Sequence, residues 1–360
     1  MNYSGDKVDM DFGPRITIPL AEWRAANPGT TVCNIEWRDD VTNDDFIHLR
    51  GIQKLNISNC KNITDAAFVH LQGIHTLNMD NCGRISDAAF VHLEGIHTLS
   101  MRRAFMITNA AFSHLRGIQV LCMDVCNQRT ITDLAFANLE GIHTLSMNGC
   151  AQDTITNAAF AHLEGIHTLL MQDCTQATIT DAAFDHLEGI NTLDIRWCYR
   201  LTPMVLVPIY GVQHFWWNDP RRQGSPLEIA LQLRNIDACL LILMEHTEAA
   251  TENPTFVANW RATFTDAQIR EAVLRVQPIA RARAAARGRR ERGPAVIARH
   301  QARHQARYTV AAPAPASASA SASASASAPA APAPPTNGSA GGSRRKTRRS
   351  KNNRSRRNRK

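Results

Sequence analysis

Six cysteines recur at a nearly fixed spacing along the chain: Cys60, Cys82, Cys126, Cys150, Cys174 and Cys198, with Ala104 standing where a seventh would fall. Thiols can attack electrophiles, bind soft metals or pair as disulfides, and each of these needs partners that converge on one point. Residues repeated along a series stack instead. Side chains on neighbouring strands lie about 5 Å apart, so the series reads as a buried ladder of small hydrophobes, each a weak S–H donor turned toward the carbonyls of a bend. No Cys-x-x-Cys pair and no secretory signal peptide is present. Such a ladder suits a reducing compartment, which points to an intracellular protein of cytoplasm or nucleus, not a secreted one.

Histidine is periodic too. His48, His70, His92, His114, His162 and His186 form one series, and His75, His97, His143 and His167 another. Zinc needs ligands arriving from several directions with a supporting shell. Repetition of one unit accounts for both series without a metal, and the other chemistry open to them is a pH-sensitive surface, because imidazoles in a row resist joint protonation. There is no phosphate-cradling glycine loop and no nucleophile elbow. The expectation is a protein without cofactor, metal or catalytic residues.

What positions these residues is a repeat. Phenylalanine returns at Phe46, Phe68, Phe90, Phe112, Phe136, Phe160 and Phe184, at intervals of 22 residues three times and then 24 three times. Fixed periods of this size mean a solenoid, whose units bury their apolar faces only by stacking. In the unit from Ile74 to Ile96, Ile74, Leu77 and Met79 read as a short strand, Cys82 as a bend, and Ser86-Asp87 as the opening of a helical turn, since a hydroxyl can cap and a carboxylate favours a helix N-terminus. Phe90 and Leu93 turn inward, and Gly95 starts the return.

The pattern I-x-x-L-x-M-x-x-C-x-x-I-[TS]-[DN]-A-A-F-x-x-L-x-G resembles the cysteine-containing leucine-rich repeats of F-box substrate receptors of ubiquitin ligases, over roughly 32–218. The resemblance implies an α/β solenoid: a leucine-rich repeat horseshoe with parallel strands on the concave side and short helices, partly 3₁₀, on the convex side. Cys33 and Ile35 fit an opening unit, and Leu201, Leu206, Ile209, Val212 and Phe215 a degenerate closing one. The resemblance also makes a substrate-recognition subunit bound to a Skp1-type adaptor the rival to a plain interaction scaffold. The N-terminal flank, residues 1–31, does not resemble an F-box.

Along the inner face most flanking residues are small or polar, such as Thr76, Asn78 and Asp80, or Thr144, Ser146 and Asn148. Larger groups enter at Arg102 and Arg103, and again at Asp194, Arg196, Trp197 and Trp216. Arginine and tryptophan are enriched at interface hot spots, so these six are the candidate contacts for a protein partner. The alternative is that Trp197, Phe215, Trp216 and Trp217 seal the end of the stack. Gln128, Gln152 and Gln176 belong to two-residue insertions and should align along one rim, as a polar ridge or as a duplicated neutral variant.

Beyond the solenoid (32–218), residues 219–277 form a helical cap in which Ser225 to His246 is similar to a single ankyrin hairpin or to an unrelated helical pair. A further helix should run from Asp266 to Val276, opened by Thr265 and stopped before Pro278. Charge then reverses: residues 1–277 carry a net −11 and residues 278–360 a net +19. Residues 278–308 read as an Arg/Ala-rich basic helix, 309–343 as an uncharged Ala/Ser/Pro linker with no leucine or isoleucine to cross a membrane, and 344–360 as a disordered basic tail. Arg344, Arg345, Lys346, Arg348, Arg349, Lys351, Arg354, Arg356, Arg357, Arg359 and Lys360 make that tail a candidate for nucleic-acid contact, for an import receptor, or for solubility alone. Such an assembly of repeats, lone hairpin and basic terminus is similar to repeat proteins of large DNA viruses.

Overall fold

The computed structural model describes residues 10–217, 225–246, 249 and 254–291. Among these, nine strands form one open parallel sheet in sequence order: β1 (Val32–Asn34), β2 (Lys54–Asn56), β3 (Thr76–Asn78), β4 (Thr98–Ser100), β5 (Val120–Cys122), β6 (Thr144–Ser146), β7 (Thr168–Leu170), β8 (Thr192–Asp194) and β9 (His214–Trp216). Each strand pairs with its neighbour at equivalent repeat positions, so Leu55, Leu77, Leu99, Leu121, Leu145, Leu169 and Leu193 share one row with Cys33 and Phe215 at its ends. The chain is a leucine-rich repeat solenoid.

The convex connections are short, as the compact units require. They are 3₁₀ turns at Asp65–His70, Asp87–Leu93 and Asp181–His186 and single α-turns at Asn109–Phe112, Asp133–Phe136 and Asn157–Phe160. All seven phenylalanines are fully buried beneath them. Gly95 makes the return to β4 at φ +84°, in the left-handed region where a side chain would be strained.

The Ser/Thr-Asp/Asn pair does more than open a turn. Each acid or amide reaches forward to the next unit. Asp87 accepts from both the backbone N–H (2.8 Å) and the hydroxyl (2.6 Å) of Thr108. Asp65 holds Ser86, Asp133 holds Thr156 and Asp181 holds Thr202 in the same bidentate way. Where the residue is asparagine the hydroxyl accepts instead: Asn43, Asn109 and Asn157 donate to Thr64, Thr132 and Thr180 while accepting the backbone N–H. This ladder makes a sharp expectation. Asp133→Ala should cost about 1.5–3 kcal/mol, the worth of charge-assisted hydrogen bonds lost, whereas Asp133→Asn should melt close to wild type because Asn109 shows that the amide fits the rung. Urea melts of the two variants check it; an equal loss in both would mean that the carboxylate acts through its charge.

The cysteine series behaves as expected. Cys60, Cys82, Cys126, Cys150, Cys174 and Cys198 are buried free thiols, and each donates S–H to a carbonyl just after the strand of the preceding unit, at 2.9–3.3 Å. Burial pushes the thiols up, to about 12 at Cys33, Cys82, Cys198 and Cys239 and to about 11 at Cys126. Thiolate is therefore scarce at pH 8, so a maleimide dye should label few cysteines in native protein and all nine in denaturant. Ready labelling of native protein would contradict the ladder. Arg38 takes the cysteine's slot in the opening unit, bonding the carbonyls of Ile16 and Ile18 and the carboxylate of Asp40 (2.6 Å), and so ties the N-terminal segment to the stack. The helix Leu20–Ala26 covers that end with Leu20 and Trp23.

At the other end, helices Pro226–Gln232 and Ile236–Glu245 form a hairpin, with a capping box between Ser225 and Glu228. It packs on the last convex turn, Pro203–Leu206, and Tyr210 meets His246 with ring centroids 4.6 Å apart. The next helix is Pro254–Thr263. The one after it, opened by Thr265 and Gln268, does not stop before Pro278 but runs unbroken from Asp266 to Glu291. Pro278 frees only the carbonyl of Leu274, a residue on the outer side of the helix with its side chain 74 % exposed. The turns beyond are held by charge. Arg283 bridges Glu245 (2.6 Å) and Asp185, and Arg287 bridges Glu245 and Glu188 (3.4 Å for the latter). The rest of the basic segment, the linker and the tail lie outside the described residues.

Candidate protein-interaction surface

Three side chains per unit face the concave side: the first and third of each strand and the second after it. The leucine between them points into the core. The resulting face carries a hydrogen-bonded row that crosses six units. Ser100 and the backbone of Arg102 donate to Asp80, at 2.6 and 2.9 Å. The Arg102 guanidinium lies 3.4 Å from Asp124, which also accepts from Ser146 (2.6 Å) and the backbone of Asn148 (2.9 Å). Asn148 accepts from the backbone of Gln172, and the Gln172 amide donates to Asp194 at 2.6 Å. Asp194 in turn grips the Arg196 guanidinium. Burial pushes the Asp80 carboxyl up, against the pull of its bond from Ser100. The large groups of this row are thus fixed by one another.

The residue that follows the second position after each of β1 to β8 lies in the left-handed region. Trp37, Asn59, Asn81, Arg103, Val125, Asp173 and Trp197 have φ between +56° and +62°, joined by Gly149 at +67°. That conformation is costly for a β-branched or bulky residue. It is held by a ladder of backbone bonds in which Trp37 donates to Ser58, Arg103 to Asp124 and Asp173 to Arg196.

The predicted contact residues fall into two groups. Asp194, Arg196, Trp197 and Trp216 come together at the C-terminal end, and Arg102 and Arg103 lie four strands away. Asp194 is 2 % exposed and its partner Arg196 is nearly enclosed, so this pair is a fixed part of the face, not a free charge. Trp197 projects from the bend, 46 % exposed, with the Arg196 guanidinium 5.7 Å from its ring centroid. Trp217 is buried and Phe215 and Trp216 half-buried, which closes the stack. Arg102 is half-exposed on the concave side, and Arg103 stands on the bend. The eleven basic residues from Arg344 to Lys360 lie outside the described residues.

Gln128, Gln152 and Gln176 do not form an outer ridge. Gln152 and Gln176 are buried. The Gln128 amide donates to the carbonyls of Ala104 (2.8 Å) and Ile107 (3.0 Å), and that of Gln152 to Cys126 (3.0 Å). The two extra residues widen the bend, and in the units of Gln128 and Gln152 the amide covers carbonyls there. The histidines also separate by face. His75 stacks on His97 and His143 on His167, with centroids 4.6 and 4.5 Å apart, and burial with the His75 neighbour pulls His97 down. Parallel rings send their lone pairs side by side, which a tetrahedral metal cannot use. On the convex side His114, His162 and His186 meet Glu94, Glu140 and Glu164 of the preceding unit at 3.0–3.3 Å. Among the described residues no group of three His, Cys, Asp or Glu side chains is placed to hold a metal ion.

No protein-family model matches the chain, and no curated protein matches it either. Solved structures do. LegL7 from Legionella pneumophila, a leucine-rich repeat protein, is 12 % identical over 62 % of this chain and 83 % of its own, with a TM-score of 0.41. A chain of the Rad7–Elc1 complex in yeast is 16 % identical over 49 % of this chain and 52 % of its own, with a TM-score of 0.39. A chain of the TLR13–ssRNA13 complex is 21 % identical, over 45 % of this chain and 24 % of its own, at a TM-score of 0.38. The chain thus spans about half of the Rad7–Elc1 chain and a quarter of the TLR13 chain. These are likenesses of fold; the fold itself is shown by the parallel strand order and its in-register leucine row.

Proposed function

We propose that the chain is a non-enzymatic scaffold that binds a protein partner on its concave face, with the basic tail serving nucleic-acid contact or nuclear import. The observation that carries this reading is the polar row from Asp80 to Arg196. Its side chains are fixed by one another, so a partner that docks on them loses little entropy in ordering them. The tail's part in the reading rests on composition: eleven Lys and Arg and no acid from 344 to 360.

The test uses Thr144 and Thr168, which face the concave side from β6 and β7. Lys54 occupies the same strand position in β2, so the slot accepts a long cationic side chain. Thr144→Lys with Thr168→Lys should leave the melting temperature unchanged and reduce recovery of cross-linked partners from the native cell at least about tenfold, the scale of a lost hot spot. Partners recovered equally by both proteins would move the interaction to another face.

A further inference from the structure

The helix Asp266–Glu291 is held to the body by different forces on the two sides of Pro278. Before the proline the hold is apolar: Ala272 and Val276 are fully buried, with Ile269 and Val273 partly buried against the same core. Arg275 adds a pair with Asp237 at 2.8 Å, but both side chains stand partly in solvent, where such pairs contribute little. Beyond the proline no described side chain is fully buried; Ile279 is exposed, and Ala280 and Ala286 are half-buried. Charge takes over there.

Three carboxylates meet two guanidiniums. Arg283 donates to Glu245 (2.6 Å) and to Asp185, and Arg287 donates to Glu245 and lies 3.4 Å from Glu188. Asp185 and Glu188 lie on the turn Asp181–His186 and its exit, and solvent reaches them, with side chains 32 % and 49 % exposed. Between them and the helix is a cleft of about 240 Å³, lined also by Pro208, Ala282 and Ala286, so water and ions come up to the pairs. Glu245 is different. Its side chain is 4 % exposed, and it ends the helix Ile236–Glu245, where the dipole disfavours a carboxylate. A buried charge persists only while it is paired, and both guanidiniums on Glu245 come from one short segment.

We infer that residues 279–291 form an electrostatic latch. They are an arm jointed at Pro278, docked on Asp185, Glu188 and Glu245 through Arg283 and Arg287. The arm comes away when those pairs are screened or neutralised, while residues 266–276 stay in place. Pro278 suits the joint because it has no N–H to give the carbonyl of Leu274, so the helical bond across it is missing. The two arginines also cover Glu245, so undocking returns that carboxylate to water. The open state bares three carboxylates at the convex end of the solenoid and frees two arginines. A detached helix this short is marginal in water, so the arm frays as it leaves. The latch does not depend on what the concave face binds.

The experiment follows amide hydrogen exchange in the full chain and compares residues 280–287 with residues 270–276. Raising sodium chloride from about 0.01 to about 1 M shortens the Debye length from about 30 to about 3 Å. Exchange in 280–287 should then quicken at least about tenfold, with 270–276 unchanged. Asp185→Asn with Glu188→Gln removes the two acids that solvent reaches and leaves the buried one, and should loosen the arm already at low salt, again without effect on 270–276. Glu245→Gln should loosen it further; if that change disturbs the hairpin, the double variant still decides. Equal acceleration of both stretches would mean that the helix leaves as one body, and would overturn the latch. So would full protection of 280–287 at high salt and in the double variant, because packing would then be what holds the arm. Rapid exchange of 280–287 in the wild-type chain at low salt would overturn it too, because no docked state would exist.

Discussion

Phe136→Ala is expected to unfold the middle of the solenoid, not merely to lower its melting point. Phe136 is fully buried under the turn Asp133–Phe136, and truncating such a side chain costs about 3–5 kcal/mol. In a stacked array that loss is not confined to one unit, because each unit is stable only through its neighbours. The break falls between the units of β5 and β6, so the segments on either side also lose the facing row that includes Leu121 and Leu145. Urea melts should show a lower midpoint and a transition that broadens or divides. Leu134→Ala is the control: two residues away but 72 % exposed, it should move the midpoint by no more than about 0.5 kcal/mol, as surface changes do. A soluble Phe136→Ala protein with the wild-type midpoint would show that the register of the stack is wrong.

The features legible in the sequence were those that one unit states by itself and the next repeats. Phe90, Leu77, Cys82 and Gly95 mark core, strand, bend and return in any single unit, and their recurrence fixed the parallel sheet and its register. What could not be read were pairings between units. Asp87 looks like the local partner of a helix N-terminus, and its bond to Thr108, 21 residues on, has no local signature. Gln152 looks like a surface residue because glutamine usually is one; only the widened bend explains its burial. Trp197 and Arg103 appeared to be inner-face residues, but the left-handed backbone turns them onto the rim. Pro278 signals a stop in isolation, and the bridges from Arg283 and Arg287 to Asp185, Glu188 and Glu245 override it.

Those bridges also decide which basic residues remain for the expected nucleic-acid contact. Arg283 and Arg287 are committed to the solenoid, so the cluster to test is the one from Arg344 to Lys360. Replacing its eleven basic residues with glutamine should abolish binding of the full chain to single-stranded RNA and any nuclear accumulation that depends on it. Each phosphate neutralised contributes a slope of about −0.7 to log affinity against log salt on a single strand. Even six contacts would then lower affinity several-hundredfold between 50 and 200 mM salt, by roughly 0.4 log units per contact. With no aromatic among these residues to stack on bases, the contact should ignore base sequence. Scrambling the order of residues 344–360 keeps the charge and should keep the binding, measured by fluorescence anisotropy across a salt series. If the scrambled tail fails, a receptor reads the order of its residues. If binding survives the glutamine replacement and does not respond to salt, the contact lies on the solenoid.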